Sequence, residues 1–127
     1  MFIFPDIEQD IVAGLQSYFP MIRIVTKKLP ADQQPAAQIV VTATYAGEKT
    51  VSPVLRFGGI VLDVFADDYG TANTLALEAC AVLMTLTGEN IKHVKLVSGP
   101  TRMGDDTGQE HRAISAEVVV TATDFNP

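Results

Sequence analysis

The segment GGIVLDVFADDYGTANTLALEACAVLMTL, residues 58–86, changes its periodicity once, near its middle. After the glycine pair, Ile60, Leu62 and Val64 alternate with Val61, Asp63 and Phe65, the period-2 pattern of a strand. From about Gly70 to Leu86 the period becomes helical, with Ala72, Leu75, Ala76, Ala79, Val82, Leu83 and Leu86 on one face. Asp67 and Asp68 stand between the two patterns, where a short carboxylate can cap the first helical turn and complement its dipole. Leu77, Cys80, Ala81 and Met84 are apolar as well, which shrinks the polar stripe to Thr74, Glu78 and Thr85. A helix apolar over so much of its circumference needs cover on more than one side. It must lie between a sheet and either a second helix or another subunit.

Upstream, Pro5 and Asp6 suit the start of a first helix, with Asp6 the N-cap and Glu8 and Asp10 near the positive helix end. Ile7, Ile11, Leu15 and Tyr18, with Val12 and Phe19 beside them, form its apolar stripe, and Pro20 ends it. Residues 21–26 read as a short strand and 27–38, with two prolines and a glutamine pair, as a loop. The β-branched run 39–45 reads as a strand and AGEK, 46–49, as a turn. A long extended segment then covers about 51–66, bent or bulged at Gly58-Gly59.

Downstream of the central helix, Thr87-Gly88 closes it and 93–98 is a strand. The last strand runs from about His111 to Thr123. Ile114, Ala116, Val118, Val120 and Ala122 face one way, and Ser115, Glu117 and Thr121 the other. The polar segment between these runs makes them a hairpin with a long loop. The order is α-β-β-β-α-β-β, which predicts an α+β fold: a mostly antiparallel β-sheet with two helices packed on one face.

At 127 residues the chain is expected to form a single domain, 1–127, with one core. An apolar fraction of 47% against 19% charged fits an ordered protein. No apolar run approaches the ~20 residues of a membrane span, and the start MFIFPDIEQD lacks a signal peptide's basic end and longer apolar stretch. The expectation is a soluble protein, not exported by this route. Cys80 is the single cysteine, which rules out an internal disulfide or a CxxC metal site, and its apolar helical setting predicts a buried thiol. A net charge of −6 argues against gripping nucleic acid by phosphate neutralisation, though not against DNA sliding past. The absence of tryptophan and the thin aromatic set also disfavour a base-stacking platform.

The loop SGPTRMGDDTGQEH, 98–111, crowds acids and a histidine together, yet no template fits. A calcium loop needs ligands at alternate positions and a distal glutamate, whereas Asp105 and Asp106 are adjacent. A zinc site joining His93 and His111 lacks further Cys or His ligands, leaving only Asp105 or Glu110 to assist. Asp63 and Glu117 are the best candidates for a carboxylate pair, with solvated charge on an exposed sheet face as the plainer reading. GxGxxG, P-loop, GxSxG and HExxH motifs are absent. No catalytic, metal or cofactor site is expected.

Three stretches together resemble the tail terminator proteins of long-tailed bacteriophages: FPDIEQDIVAGLQSYFP, RFGGIVLDVFADDYGTANTLALEACAVLMTL and VSGPTRMGDDTGQEHRAISAEVVVTAT. In that family an opening helix precedes strands, and a strand ending in an aspartate-valine-x-alanine segment (here residues 63–66) leads into a helix. A loop containing Gly99-Pro100 then joins two last strands, the second beginning near Arg112. The resemblance implies a structural virion protein, assembled in the host cytoplasm, that forms a homo-oligomeric ring, usually a hexamer, on the head-proximal end of the tail tube. Such a ring stops tube polymerisation and presents a surface to the head-completion or connector protein, while DNA passes through without specific binding. On this reading Arg56, Arg102 and Arg112 meet acidic groups such as Asp63, Asp67, Asp68, Asp105 and Asp106 across subunit contacts. Loops 99–109 and 27–38 would reach the two rims of the ring. The alternatives are another neck component, such as a head-closure or tail-tube protein, or a small acidic enzyme or ligand-binding domain.

Overall fold

The computed structural model describes residues 2–3, 6–29, 33, 35–52, 55–88, 90–104 and 108–124, with backbone alone for 2–3, 45–52, 55–56 and 123–124. Its elements in chain order are β1 (Phe2–Ile3), α1 (Ile7–Tyr18), β2 (Arg23–Val25), β3 (Ala37–Ser52), β4 (Leu55–Ala66), α2 (Tyr69–Thr85), β5 (Ile91–Met103), β6 (Glu110–Thr121) and β7 (Thr123–Asp124). Five strands form one sheet in the order β2-β3-β4-β6-β5, with every neighbouring pair antiparallel except β2 and β3. The short β1 and β7 pair separately, antiparallel, and tie the two ends of the chain together. This is the α+β fold that the pattern predicts, with α1 and α2 on one face of the sheet.

Both helices start at their predicted caps. The Asp6 carboxylate accepts from Gln9 N at 3.3 Å, and that of Asp68 accepts from Thr71 N and Thr71 Oγ1 at 2.8 and 2.6 Å. Asp67 is not a cap: its backbone N–H donates to Ala36 O at 3.0 Å. Ile7, Ile11 and Leu15 of α1 are buried, but Tyr18 is 60% exposed. The next residue on the buried stripe after Leu15 is Phe19, at i+4, which packs against the core, and Tyr18 is turned about 100° from it. Opposite the helices, Ile39 and Val41, Ile60, Leu62 and Val64, Val94, and Ile114, Ala116, Val118 and Val120 complete one core with Leu75, Ala79 and Leu83 of α2. Cys80 is buried in this layer, and desolvation raises its thiol pKa.

Strand limits differ from the sequence reading at three places. AGEK, expected to turn, lies inside β3, which runs on to Ser52. The β3–β4 register moves from Thr44↔Gly59 to Lys49↔Phe57, so residues 45–48 bulge from β3 opposite Gly58. The bend expected in β4 at Gly58-Gly59 is therefore carried by its neighbour, and the β4–β6 ladder passes both glycines without a shift. A side chain at Gly59 would collide with Thr44, which explains that glycine. The segment expected as one strand from 51 to 66 is divided between β3 and β4.

Strand β5 is the second difference: it extends past Gly99-Pro100 to Met103, so the hairpin loop shrinks to 104–109. Gly99 has φ 101°, its peptide bond to Pro100 is cis, and the register shifts on either side of Ser98. Ala113 O and Ile114 Cα fill the space where a side chain at 99 would stand. Because β5 is an edge strand, the N–H that proline lacks is not missed by the ladder. The third difference is the loop expected over 27–38, which ends earlier, at β3, and leaves Gln38 fully buried within the strand. Among the described residues no helix is long and apolar enough to cross a membrane.

Two outcomes follow from this packing. Leu62→Ala, in the middle of the sheet, is expected to destabilise the fold by about 2–5 kcal/mol in denaturant unfolding. Cys80 should react with a thiol reagent in native buffer much more slowly than in denaturant, and equal rates would contradict its burial.

Candidate functional site

Arg102 on β5 stands directly opposite Arg112 on β6, both on the helix-facing side of the sheet. Like charges at such a position repel, and Glu110, two residues before Arg112 on the same strand face, resolves the conflict. Arg102 binds it through two bonds, Nε to Oε2 at 3.2 Å and Nη2 to Oε1 at 2.9 Å. Arg112 Nη1 donates to Glu110 Oε2 at 3.0 Å and to His111 O at 3.1 Å, and its Nε donates to Asn73 Oδ1 of α2 at 2.9 Å. Hydrogen bonds from Arg112 and then Arg102 hold the Glu110 carboxyl below its ordinary pKa. The Tyr69 ring lies over both guanidiniums, with its centre 5.2 Å from that of Arg102 and 5.0 Å from that of Arg112. Tyr69, Arg102 and Arg112, with Asn73, Leu77 and Pro100, line an open depression of about 340 Å³.

The eight residues singled out by sequence do not gather in one place. Arg102 and Arg112 meet as described, and the side chain of Arg112 is only 3% exposed, its charge engaged inside its own chain. Asp63 points to the other face of the sheet, where its Oδ1 lies 2.7 Å from Nε2 of His111. The His111 ring stacks on Phe65 at 4.3 Å, and the Lys28 ammonium sits 4.0 Å over the Phe65 ring. Asp67 accepts from Gln109 Nε2 at 3.0 Å, and Asp68 caps α2. The backbone of Arg56 pairs with Thr50 and Val120. Asp105 and Asp106 lie outside the described residues.

Three contributors were missed: Glu110, Asn73 and Tyr69. For Glu110 a signal existed, because residues two apart on a strand share a face and 110 and 112 carry opposite charges.

The two loops assigned to opposite rims lie at the same end of the sheet. Gln109 Nε2 donates to Pro35 O at 2.9 Å, which joins the β5–β6 hairpin to the connection before β3. The parallel pairing of β2 with β3 starts β3 at Ala37, opposite Ala66, at the end where β4 finishes.

The histidine and carboxylate pairs are kept apart by the register. His93 is opposite Val119, eight residues from His111 along β6, which is ~27 Å at strand spacing. A zinc ion cannot bridge them. Asp63 and Glu117 share a sheet face, but Glu117 is opposite Gly59, four residues along β4 from Asp63 and therefore ~14 Å away. That exceeds the carboxyl separations used in glycoside hydrolysis, at most ~9.5 Å. Among the described residues no three His, Cys, Asp or Glu side chains are grouped to hold a metal.

Several large apolar side chains are also exposed. On the outer flank of α2, Tyr69, Leu77 and Met84 are 55%, 62% and 48% exposed, and on the neighbouring edge strand Val97 and Met103 are exposed as well. No protein-family model matches this sequence, and no curated protein matches it.

Glu110 gives a signed pH prediction. A carboxyl with a folded pKa below its ordinary value stabilises the fold above that value and loses the contribution as pH falls through the folded pKa. Glu110→Gln should therefore lower the melting temperature near pH 7, and the difference from wild type should shrink as pH falls below the ordinary glutamate range. A difference that persists unchanged in acid would show that the carboxylate charge is not what holds the two arginines.

Proposed function

We propose that this protein is a ring-forming tail terminator of a long-tailed bacteriophage, which caps the head-proximal end of the tail tube and offers its other face to the head connector. The observation that carries the association is the outer flank of α2. The helix is already packed against the sheet on one side and against α1 on another, yet Tyr69, Leu77, Ala81 and Met84 still present an apolar stripe. An apolar stripe beside an edge strand suits burial against a neighbouring subunit. The order of helices and strands supports the tail role through its resemblance to that family, although Gly99-Pro100 lies within β5 rather than in the joining loop.

In the ring the α2 flank and the β5 side of one subunit pack against the next. Gln109 and the chain at Pro35 and Ala36 would lie on one rim, because Gln109 Nε2 donates to Pro35 O. The end of β3 at Ser52, the start of β4 at Leu55 and the start of β5 at Ile91 lie at the opposite end of the sheet and would face the other rim. A chain of net charge −6 suits a conduit that lets DNA pass without holding it.

Light scattering on a sizing column and negative-stain imaging, with and without purified tail tubes, test the proposal. A ring, free or on tube ends, is the expected result; a strict monomer that leaves tubes uncapped removes the reading. Leu77→Lys, at an exposed position, should keep the fold and weaken ring formation about tenfold or more.

A further inference from the structure

The Arg102–Glu110–Arg112 cluster has unspent donor capacity. Two guanidiniums share one carboxylate, and Arg112 Nη2 is buried with no hydrogen-bond partner while Nε and Nη1 are fully used. A buried guanidinium donor is seldom left unpaired. Arg102 spends Nε and Nη2 on Glu110, and its side chain remains 63% exposed. The depression beside them has an apolar wall, formed by Leu77, Pro100 and the Tyr69 ring. Nearby acids are turned elsewhere: Asp68 lines the separate cavity on the α1 side of α2, and Asp67 is bonded to Gln109.

We propose that this depression is a binding site for a carboxylate carried on an apolar group. The carboxylate takes the place of the Tyr69 ring over the guanidiniums, accepts from Arg112 Nη2 and Arg102, and lays its apolar part against Leu77 and Pro100. Planar two-point geometry favours a carboxylate at arginine, and the apolar wall disfavours a strongly hydrated phosphate. The same chemistry is available on a free acid or on an aspartate or glutamate of a second copy of this chain. The site does not depend on the tail reading, and neither stands or falls with the other.

The test is a nuclear magnetic resonance titration of the whole chain with benzoate, following the Nε–H signals of Arg102 and Arg112. Benzamide, the uncharged isostere, and inorganic phosphate serve as comparison ligands. Saturable shifts with benzoate at about 1 mM, weak or absent with benzamide, are expected. Arg102→Gln should weaken benzoate about tenfold, whereas Lys92→Gln, on the same strand but outside the depression, should leave it unchanged.

Equal binding of benzamide, tighter binding of phosphate, no shift up to ~50 mM benzoate, or an Arg102→Gln variant indistinguishable from Lys92→Gln would each overturn the site. Self-association that benzoate competes away identifies the carboxylate of a second copy as the natural occupant. Benzoate binding with no effect on association state identifies a free or foreign carboxylate.

Discussion

The register between β4 and β6 is the constraint on which the rest of this molecule depends. The two strands pair without a shift from Leu55↔Thr121 to Ala66↔Glu110, at the centre of the sheet. Side chains alternate with period 2, so this one register decides which residues meet the helices and which face away. It sends Ile114, Ala116, Val118 and Val120 into the core. It also separates two adjacent polar residues, placing Arg112 against α2 and His111 against Asp63 on the other face. A slip by one residue would bury His111 and strand Arg112 away from Asn73 and Glu110. Each polar contact at the hairpin end therefore reports on the same alignment as the hydrophobic core.

The face of the sheet turned away from the helices is not simply solvated. Gln38, Val40 and Phe65 are buried there, Lys28 sits over the Phe65 ring, and Arg23 Nη1 donates to Gln38 Oε1 at 2.8 Å. The chain between β2 and β3 supplies Lys28 and so covers one end of this face, while Glu117 stays exposed farther along it. Glu8 of α1 has a comparable closing role at the outer edge of β3. Its Oε1 accepts from Ala43 N at 2.8 Å, just beyond Val40, where pairing with β2 stops. A carboxylate there satisfies a backbone donor that an edge would otherwise leave open.

The parts legible in the sequence were those set by a strong local period or a cap. The helical repeat of 70–86, the aspartates before it and the alternation of 114–120 all reappear in α2, its Asp68 cap and β6. What was not legible depends on partners distant in sequence. AGEK has turn-forming composition, but it lies inside β3, where Ala46, Gly47 and Glu48 bulge without partners and pairing with β4 resumes at Lys49. Gly99-Pro100 also looks like a strand end. It continues as strand because an edge position forgives a missing N–H and Gly99 accepts φ 101° against Ala113 O. Arginine is usually exposed, so sequence alone favours Arg112 in solvent or at a neighbour. Its burial follows only from the cross-strand position of Arg102 and from the meeting of β6 with α2.

Edge protection narrows how copies of this fold can meet. Strand β5 is long and open on one side, the arrangement that invites strand-to-strand addition. Yet its register shifts at three places, it contains a cis proline, and it carries Lys92, Lys95 and Arg102 with no acidic residue. Bulges, proline and charge are the features that stop an edge from extending a neighbour's sheet. Association on this side must then proceed through side chains rather than through a continued ladder. The side chains available are the apolar flank of α2 and the arginine-lined depression beside it. In the proposed association the flank would supply area and the arginines direction, since a guanidinium fork fixes the orientation of a carboxylate it holds.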